Sequence, residues 1–419
     1  MQKSANRTPW LWIPTLYFVE GIPYFIVNTI SLIMFKDMGM DNGTLALLTS
    51  LISIPWVVKP LWSPFVDIFR SKRWWIVTMQ FIMLAAIGLV AASVRLTTFT
   101  LTLILFIIAA FASATHDIAA DGFYMLALDE RRQSAFVGIR STFYRIAMVF
   151  GQGVLVVMAG LLEKRMGDIP AAWSVTMLVS SGILLLLALY HTFILPRPDE
   201  DRSAAAVRTA GDVAREFGAA FSSFFRKKGV WLAIAFMLLY RLPEAFSVKM
   251  LFPFFKDPAE IGGLGLGTEV FGLVYGTFGV IALLAGGILG GLAVARNGLA
   301  KCLWPMALSL ALPCAVYLYM SIFQPTSIWV VGTCVVFDQF GYGFGFSAYM
   351  LYMMHFSEGP LKTSHYAICT AFMALSMMLP GLVAGYLQEA LGYVGFFILV
   401  MLCCVATFFV TFFVRRRLQ

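Results

Sequence analysis

Apolar stretches of about 18 or more residues recur along nearly the whole chain, and nothing else in the sequence constrains the fold as strongly. A bilayer core is about 30 Å thick, a distance that roughly 20 helical residues cross. Lipid offers the backbone no water, so each crossing must satisfy its own N–H and C=O groups, as a helix does. The composition agrees: 60% of the 419 residues are hydrophobic and 12% are charged, whereas a soluble domain is nearer half and a quarter. An all-α polytopic membrane protein is expected.

Twelve spans are expected, over 10–35, 43–68, 74–94, 98–127, 134–162, 172–195, 229–254, 268–294, 300–322, 327–355, 362–390 and 393–414. The longest polar segment, PRPDEDRSAAAVRTAGDVAREFGAAFSSFFRKKG, divides them into six plus six. The domains expected are an N-terminal six-helix bundle over 1–195, a cytoplasmic linker over 196–228 and a C-terminal six-helix bundle over 229–419. With the N-terminus cytoplasmic, twenty basic residues fall on the cytoplasmic side, among them Arg70, Lys72, Arg73, Lys227 and Arg415 to Arg417. Only Lys36, Arg95, Lys164, Arg165 and Lys256 fall opposite. Cytoplasmic loops retain Lys and Arg, so both termini are expected in the cytoplasm.

The same bias accounts for the net charge of +8 without a nucleic-acid partner. All six cysteines fall inside second-half spans with no ligand spacing, and read as buried thiols. Lys3 and Arg7 precede a first helix that lacks a small-residue cleavage site, so no cleavable signal is expected. There is no HExxH, GxSxG, P-loop or Cys/His cluster, so neither an enzyme nor a metal or other cofactor is expected. A membrane sensor, the reading from another class, would be expected to carry an appended signalling domain, for which the loop and tails are too short.

The segment SPFVDIFRSKRWW after the second span is echoed by GGLAVARNGLAKCLW after the eighth. Both resemble, in degraded form, the glycine–acidic–basic signature of major facilitator transporters, which implies that fold with its two related halves. The chain further resembles the AmpG-like muropeptide permeases and their acetyl-CoA-transporter relatives. The likeness is carried by KPLWSPFVD (59–67), SATHDIAADGF in the fourth span, FYRIAMVFGQG (143–153), LLYRLPEAF in the seventh and VFDQFGYGFGFSAY in the tenth. It departs at Glu20, His116, Arg140 and Lys249. The resemblance implies proton-coupled import of a peptidoglycan-derived glycopeptide of the GlcNAc-anhydroMurNAc type across the bacterial inner membrane, by a monomer. The alternative is another sugar derivative or an organic anion.

Charges inside apolar spans disfavour insertion by ~3 kcal/mol or more, so they face a cavity or a partner. Asp117 and Asp121, four apart, share one face of the fourth span. Across the hairpin Asp117 lies level with Arg145 and Asp121 with Arg140, but these arginines are about 140° apart on their helix. The family match at Arg145 favours an Asp117–Arg145 pair. Glu20 and Lys59, both near mid-depth, are expected to pair. Arg241 and Glu244 share a face of the seventh span, at the depth of Asp338 on the tenth.

The candidates for proton coupling are thus Asp121, Asp117, Glu20 and Asp338. Those for substrate binding are Arg145, Lys59, Arg241, Glu244, Gln339 and Trp56, with purely structural ion pairs as the competing reading. Asp67, Arg70 and Arg73 form a candidate conformational latch. Gly341, Gly343 and Gly345 are expected to loosen the tenth helix near Asp338. Trp10, Trp12, Trp74, Trp75, Trp173, Trp231 and Trp329 mark span ends, as in an interfacial aromatic belt.

Overall fold

The structure, a computed structural model, describes residues 8–96, 99–198, 201, 210–359 and 361–418. Among these there is no strand. The helices are α1 (Pro9–Asp37), α2 (Asn42–Leu61), α3 (Lys72–Arg95), α4 (Phe99–Ala127), α5 (Gly138–Met166), α6 (Ile169–Ile194), α7 (Val230–Lys256), α8 (Thr268–Asn297) and α9 (Leu299–Phe323). They continue with α10 (Ile328–Ser357) and with Lys362–Leu418, which is broken at Gly392 into two arms, α11 and α12. Ten segments are long and apolar enough to cross a membrane, the last of them covering both arms. A short helix, Ala210–Phe225, precedes α7.

Polar caps set the starts of several helices. The Asp41 carboxylate accepts from the Thr44 amide at 2.7 Å, Asp129 from Arg132 at 2.8 Å and Asp168 from Ala171 at 3.0 Å. Each satisfies an N–H that the first helical turn leaves unpaired. Between the caps the helices expose large apolar side chains that lipid, not water, would cover, such as Leu186, Phe193 and Trp231. Trp12 and Trp173, expected at an interface, are instead fully buried.

The chain forms two compact units. The first comprises Met1–Ser31, Val58–Gly151 and Leu161–Gly218. Its core gathers Trp12, Tyr17, Ile76, Phe123 and Tyr124. A buried polar chain runs beside it: Gln80 bonds His116 Nε2 at 3.0 Å and His191 Nδ1 at 3.0 Å, and His191 Nε2 reaches Thr15 at 2.9 Å. His116 is therefore a packed, hydrogen-bonded residue.

The second unit comprises Leu32–Val57, Gln152–Gly160 and Ala219–Gln419. Its core includes Phe236, Tyr240, Met306, Tyr349 and Tyr352. The alternating glycines of α10 do not loosen it; the helix runs unbroken for 30 residues. A Cβ at Gly343 would meet the Leu283 carbonyl on α8 at 2.0 Å, and one at Gly341 the Ser309 carbonyl on α9 at 2.2 Å. The glycines let α10 pack closely against a helix on each side, as small residues do in membranes.

Candidate functional site

In the first unit Asp117 and Asp121 project from one face of α4 as their spacing requires, but their partners differ from those expected. Lys59 Nζ, at a 3-10 turn that interrupts α2 beside Pro60, pairs with Asp117 Oδ2. Arg140 Nη2 lies 2.6 Å from Asp121 Oδ1, and the Tyr17 hydroxyl donates to the same oxygen at 3.2 Å. The Arg140 guanidinium also stacks over the Tyr17 ring at 4.4 Å and the Tyr124 ring at 5.1 Å. Both proposed pairings, Asp117 with Arg145 and Glu20 with Lys59, are thus corrected. Only one of two arginines about 140° apart can face α4, and α5 turns Arg140 toward it.

Arg145 is left with a 3.4 Å contact to its neighbour Ser141. No carboxylate among the described residues lies within ion-pair distance of it. Glu20 faces Asp117 and Asp121, and its Oε2 is buried without a hydrogen-bond partner. The cluster holds three carboxyl groups and two cations.

In the second unit α7 breaks at Tyr240–Arg241 and restarts at Leu242 with Pro243 in its first turn. Arg241 stands at the break as the N-cap of the restarted helix, its carbonyl accepting from the Ala245 amide at 2.9 Å. Its Nε and Nη2 clamp Glu244 at 2.8 and 3.1 Å, and Nη2 also donates to the Tyr342 hydroxyl at 2.7 Å. The Phe346 ring lies 4.7 Å beneath the guanidinium. Asp338 does not join this pair: it accepts from Tyr317 at 2.7 Å and from Gln339 at 3.0 Å. Trp56 is buried.

The latch candidates sit around the start of α3, which is tied down. Arg73 donates to the Thr192 and Leu195 carbonyls at the end of α6, and the Lys72 and Arg73 amides donate to Asp201 at 2.6 and 3.1 Å. Arg70 has a left-handed backbone (φ 72°) and lies over Trp74 at 5.9 Å. The Asp67 side chain lies outside the described residues.

A larger polar network, absent from the sequence reading, lies in the second unit where α1 and α7 end. Lys36 Nζ pairs with Asp257 at 2.7 Å, and Lys256 Nζ with Asp37 at 2.9 Å. Thr268 donates to Asp37 at 2.9 Å. Asp257 Oδ2 accepts from Tyr393 at 2.6 Å and from Asn42 at 3.2 Å, while Asn42 also donates to Gln388 at 2.6 Å. The Gly43 amide donates to Glu389 at 2.7 Å. Backbones meet here as well: a Cβ at Gly385 would stand 1.8 Å from the Asn42 carbonyl. The ends of α1 and α2 are thereby tied to the end of α7, to α11 and to the start of α8. The signal was present as Phe-Lys-Asp at 35–37 and again at 255–257.

Comparison with known proteins places this geometry. The sequence pattern of the Major Facilitator Superfamily matches residues 15–361. The chain is 25% identical over 409 residues to the anhydromuropeptide permease of Escherichia coli K12, covering 96% of this chain and 79% of that protein. Among solved structures it is similar to the nucleoside transporter NupG, with a TM-score of 0.70 and 15% identity over 96% of each chain. The E. coli fucose:proton symporter FucP is also similar in fold, with a TM-score of 0.58 and 18% identity over 98% of this chain and 99% of that one.

Proposed function

Because the chain belongs to the Major Facilitator Superfamily, and is a transporter and not an enzyme, we propose that it imports a muropeptide of the GlcNAc-anhydroMurNAc type by alternating access coupled to protons. The observation that carries this reading is the cluster of Glu20, Lys59, Asp117, Asp121 and Arg140. Three carboxyls against two cations leave one negative charge within the bilayer, and a single proton cancels it. Arg145, with no carboxylate of its own, is suited to a carboxylate of the cargo's peptide. The similarity to the E. coli permease supports a muropeptide as that cargo.

Twelve crossings follow if α10 and the two arms of Lys362–Leu418 each span, and the uneven basic residues then put both termini in the cytoplasm of an inner-membrane monomer. A reporter fused at Arg215 should therefore read cytoplasmic, and a periplasmic signal there would overturn this orientation. On the same topology the Lys36–Asp257 network closes the extracytoplasmic end.

The function is tested by uptake into proteoliposomes of labelled GlcNAc-anhydroMurNAc peptides, GlcNAc and fucose, with and without an inward proton gradient. Gradient-dependent accumulation of the muropeptide, and not of the free sugars, is expected. Uptake of only a free sugar would replace the substrate, and uptake indifferent to the gradient would remove the coupling.

A further inference from the structure

Lys249 lies on α7 seven residues before Lys256, about 10 Å deeper than the sealed end. It is 8% exposed. Its Nζ donates one bond, of 3.3 Å, to the Thr49 hydroxyl, whose own hydrogen goes to the Leu45 carbonyl at 2.7 Å. No carboxylate among the described residues lies within ion-pair distance of it. Lys36, Lys59, Arg140, Arg241 and Lys256 all have one. An ammonium carries three donors, so two remain unassigned.

A second uncommitted group lies beside it. Ser50 Oγ is buried and has no hydrogen-bond partner. Both pack against Gly381 on α11, where a Cβ would fall 2.3 Å from Ser50 Oγ and 3.3 Å from Lys249 Cε, which sets the two groups side by side. A buried cation with no carboxylate and a buried hydroxyl with no partner are both costly to leave so. Together they suit a ligand that is anionic and accepts hydrogen bonds. A single positive charge matches a carboxylate better than a phosphate dianion.

We infer that Lys249 and Ser50 form a receiving site for a carboxylate of the transported sugar derivative, an inference that rests on the transport reading above. Thr49 holds the ammonium in place, and Gly381, lacking a Cβ, lets Ser50 and Lys249 lie against the same stretch of α11.

The test compares binding of GlcNAc-anhydroMurNAc as the free acid and as its methyl ester to the purified full-length protein. The wild type should prefer the acid by about tenfold or more, the usual scale of a charge-assisted hydrogen bond. Lys249→Met should bring the two affinities within about twofold. It should also melt at the same or a higher temperature, because it removes an unmatched buried charge. Ser50→Ala, which keeps the charge, should narrow the preference by about threefold, and it carries the test if Lys249→Met does not fold. A preference that survives in the foldable variants, or equal wild-type binding of acid and ester, overturns the site. If the wild type binds neither probe, the muropeptide reading itself fails and this site falls with it.

Discussion

Glu20→Gln is expected to abolish accumulation driven by a pH gradient while leaving counterflow of substrate intact. The substitution removes the carboxyl that no cation pairs, and with it the place where a proton neutralises the cluster around Asp117 and Asp121. Counterflow needs no net proton movement and should survive. With one coupled proton, a gradient of one pH unit can sustain about tenfold accumulation, and the variant should fall to the external concentration. Asp117→Asn and Asp121→Asn should behave differently, because each strands a cation, Lys59 or Arg140, in the bilayer. Breaking such a pair is worth up to about 3–5 kcal/mol, so both variants should lose protein from the membrane and counterflow as well. Gradient-driven uptake beside counterflow, normalised to reconstituted protein, separates these outcomes. Undiminished pH-driven accumulation by Glu20→Gln would return the proton to Asp121 or Asp338.

Asp257→Asn should stop transport by opening the other end of the cycle. Asp257 is the hub of the sealing network, taking Lys36, Tyr393 and Asn42 at once. Neutralising it leaves the Lys36 ammonium, 12% exposed, without a counter-charge. A loss of about 3 kcal/mol specific to the sealed state would shift the open-to-sealed ratio by more than a hundredfold. Uptake should fall at least tenfold while substrate still binds from outside. A cysteine at position 46, buried in the sealed state as Ala46 is, should become reactive to an impermeant maleimide. Replacing Lys36 and Asp257 together by Met should recover much of the sealing, since an apolar pair does not strand a charge. An Asp257→Asn protein with wild-type uptake and an unreactive cysteine would show that the network is not a gate.

The helices were legible because hydrophobicity over 20 residues is a long, local signal, whereas the caps at Asp41, Asp129 and Asp168 that fix their starts emerge only from the structure. The charges inside the spans were legible as exceptions to that signal. Their partners were not. Choosing Arg140 over Arg145 depends on how α5 is rotated about its axis, which neighbouring helices decide. Lys59 reaches Asp117 because α2 tightens into a 3-10 turn at Lys59–Leu61, an irregularity that spacing on an ideal helix cannot anticipate. Gly341, Gly343 and Gly345 read as weakness in isolation and proved to be contact surface, because their effect depends on the backbones opposite. Lys36 and Lys256 entered only as charges on the less basic side, since pairing across some 220 positions leaves no trace in local pattern.

The crossed bridges carry a consequence for ancestry. Lys36 meets Asp257 while Lys256 meets Asp37, so the same tripeptide serves as both partners in each direction. This is the contact rule of an isologous interface, where residue i touches j and j touches i across a two-fold axis. In an unduplicated precursor that paired as a dimer, one substitution would have created or erased both bridges together. Duplication within a single chain uncouples them. Each bridge can then drift alone, and the two already differ in their neighbours: Asp257 accepts from Tyr393 and Asn42, and Asp37 from Thr268. Within one chain the strength of each bridge can be set separately.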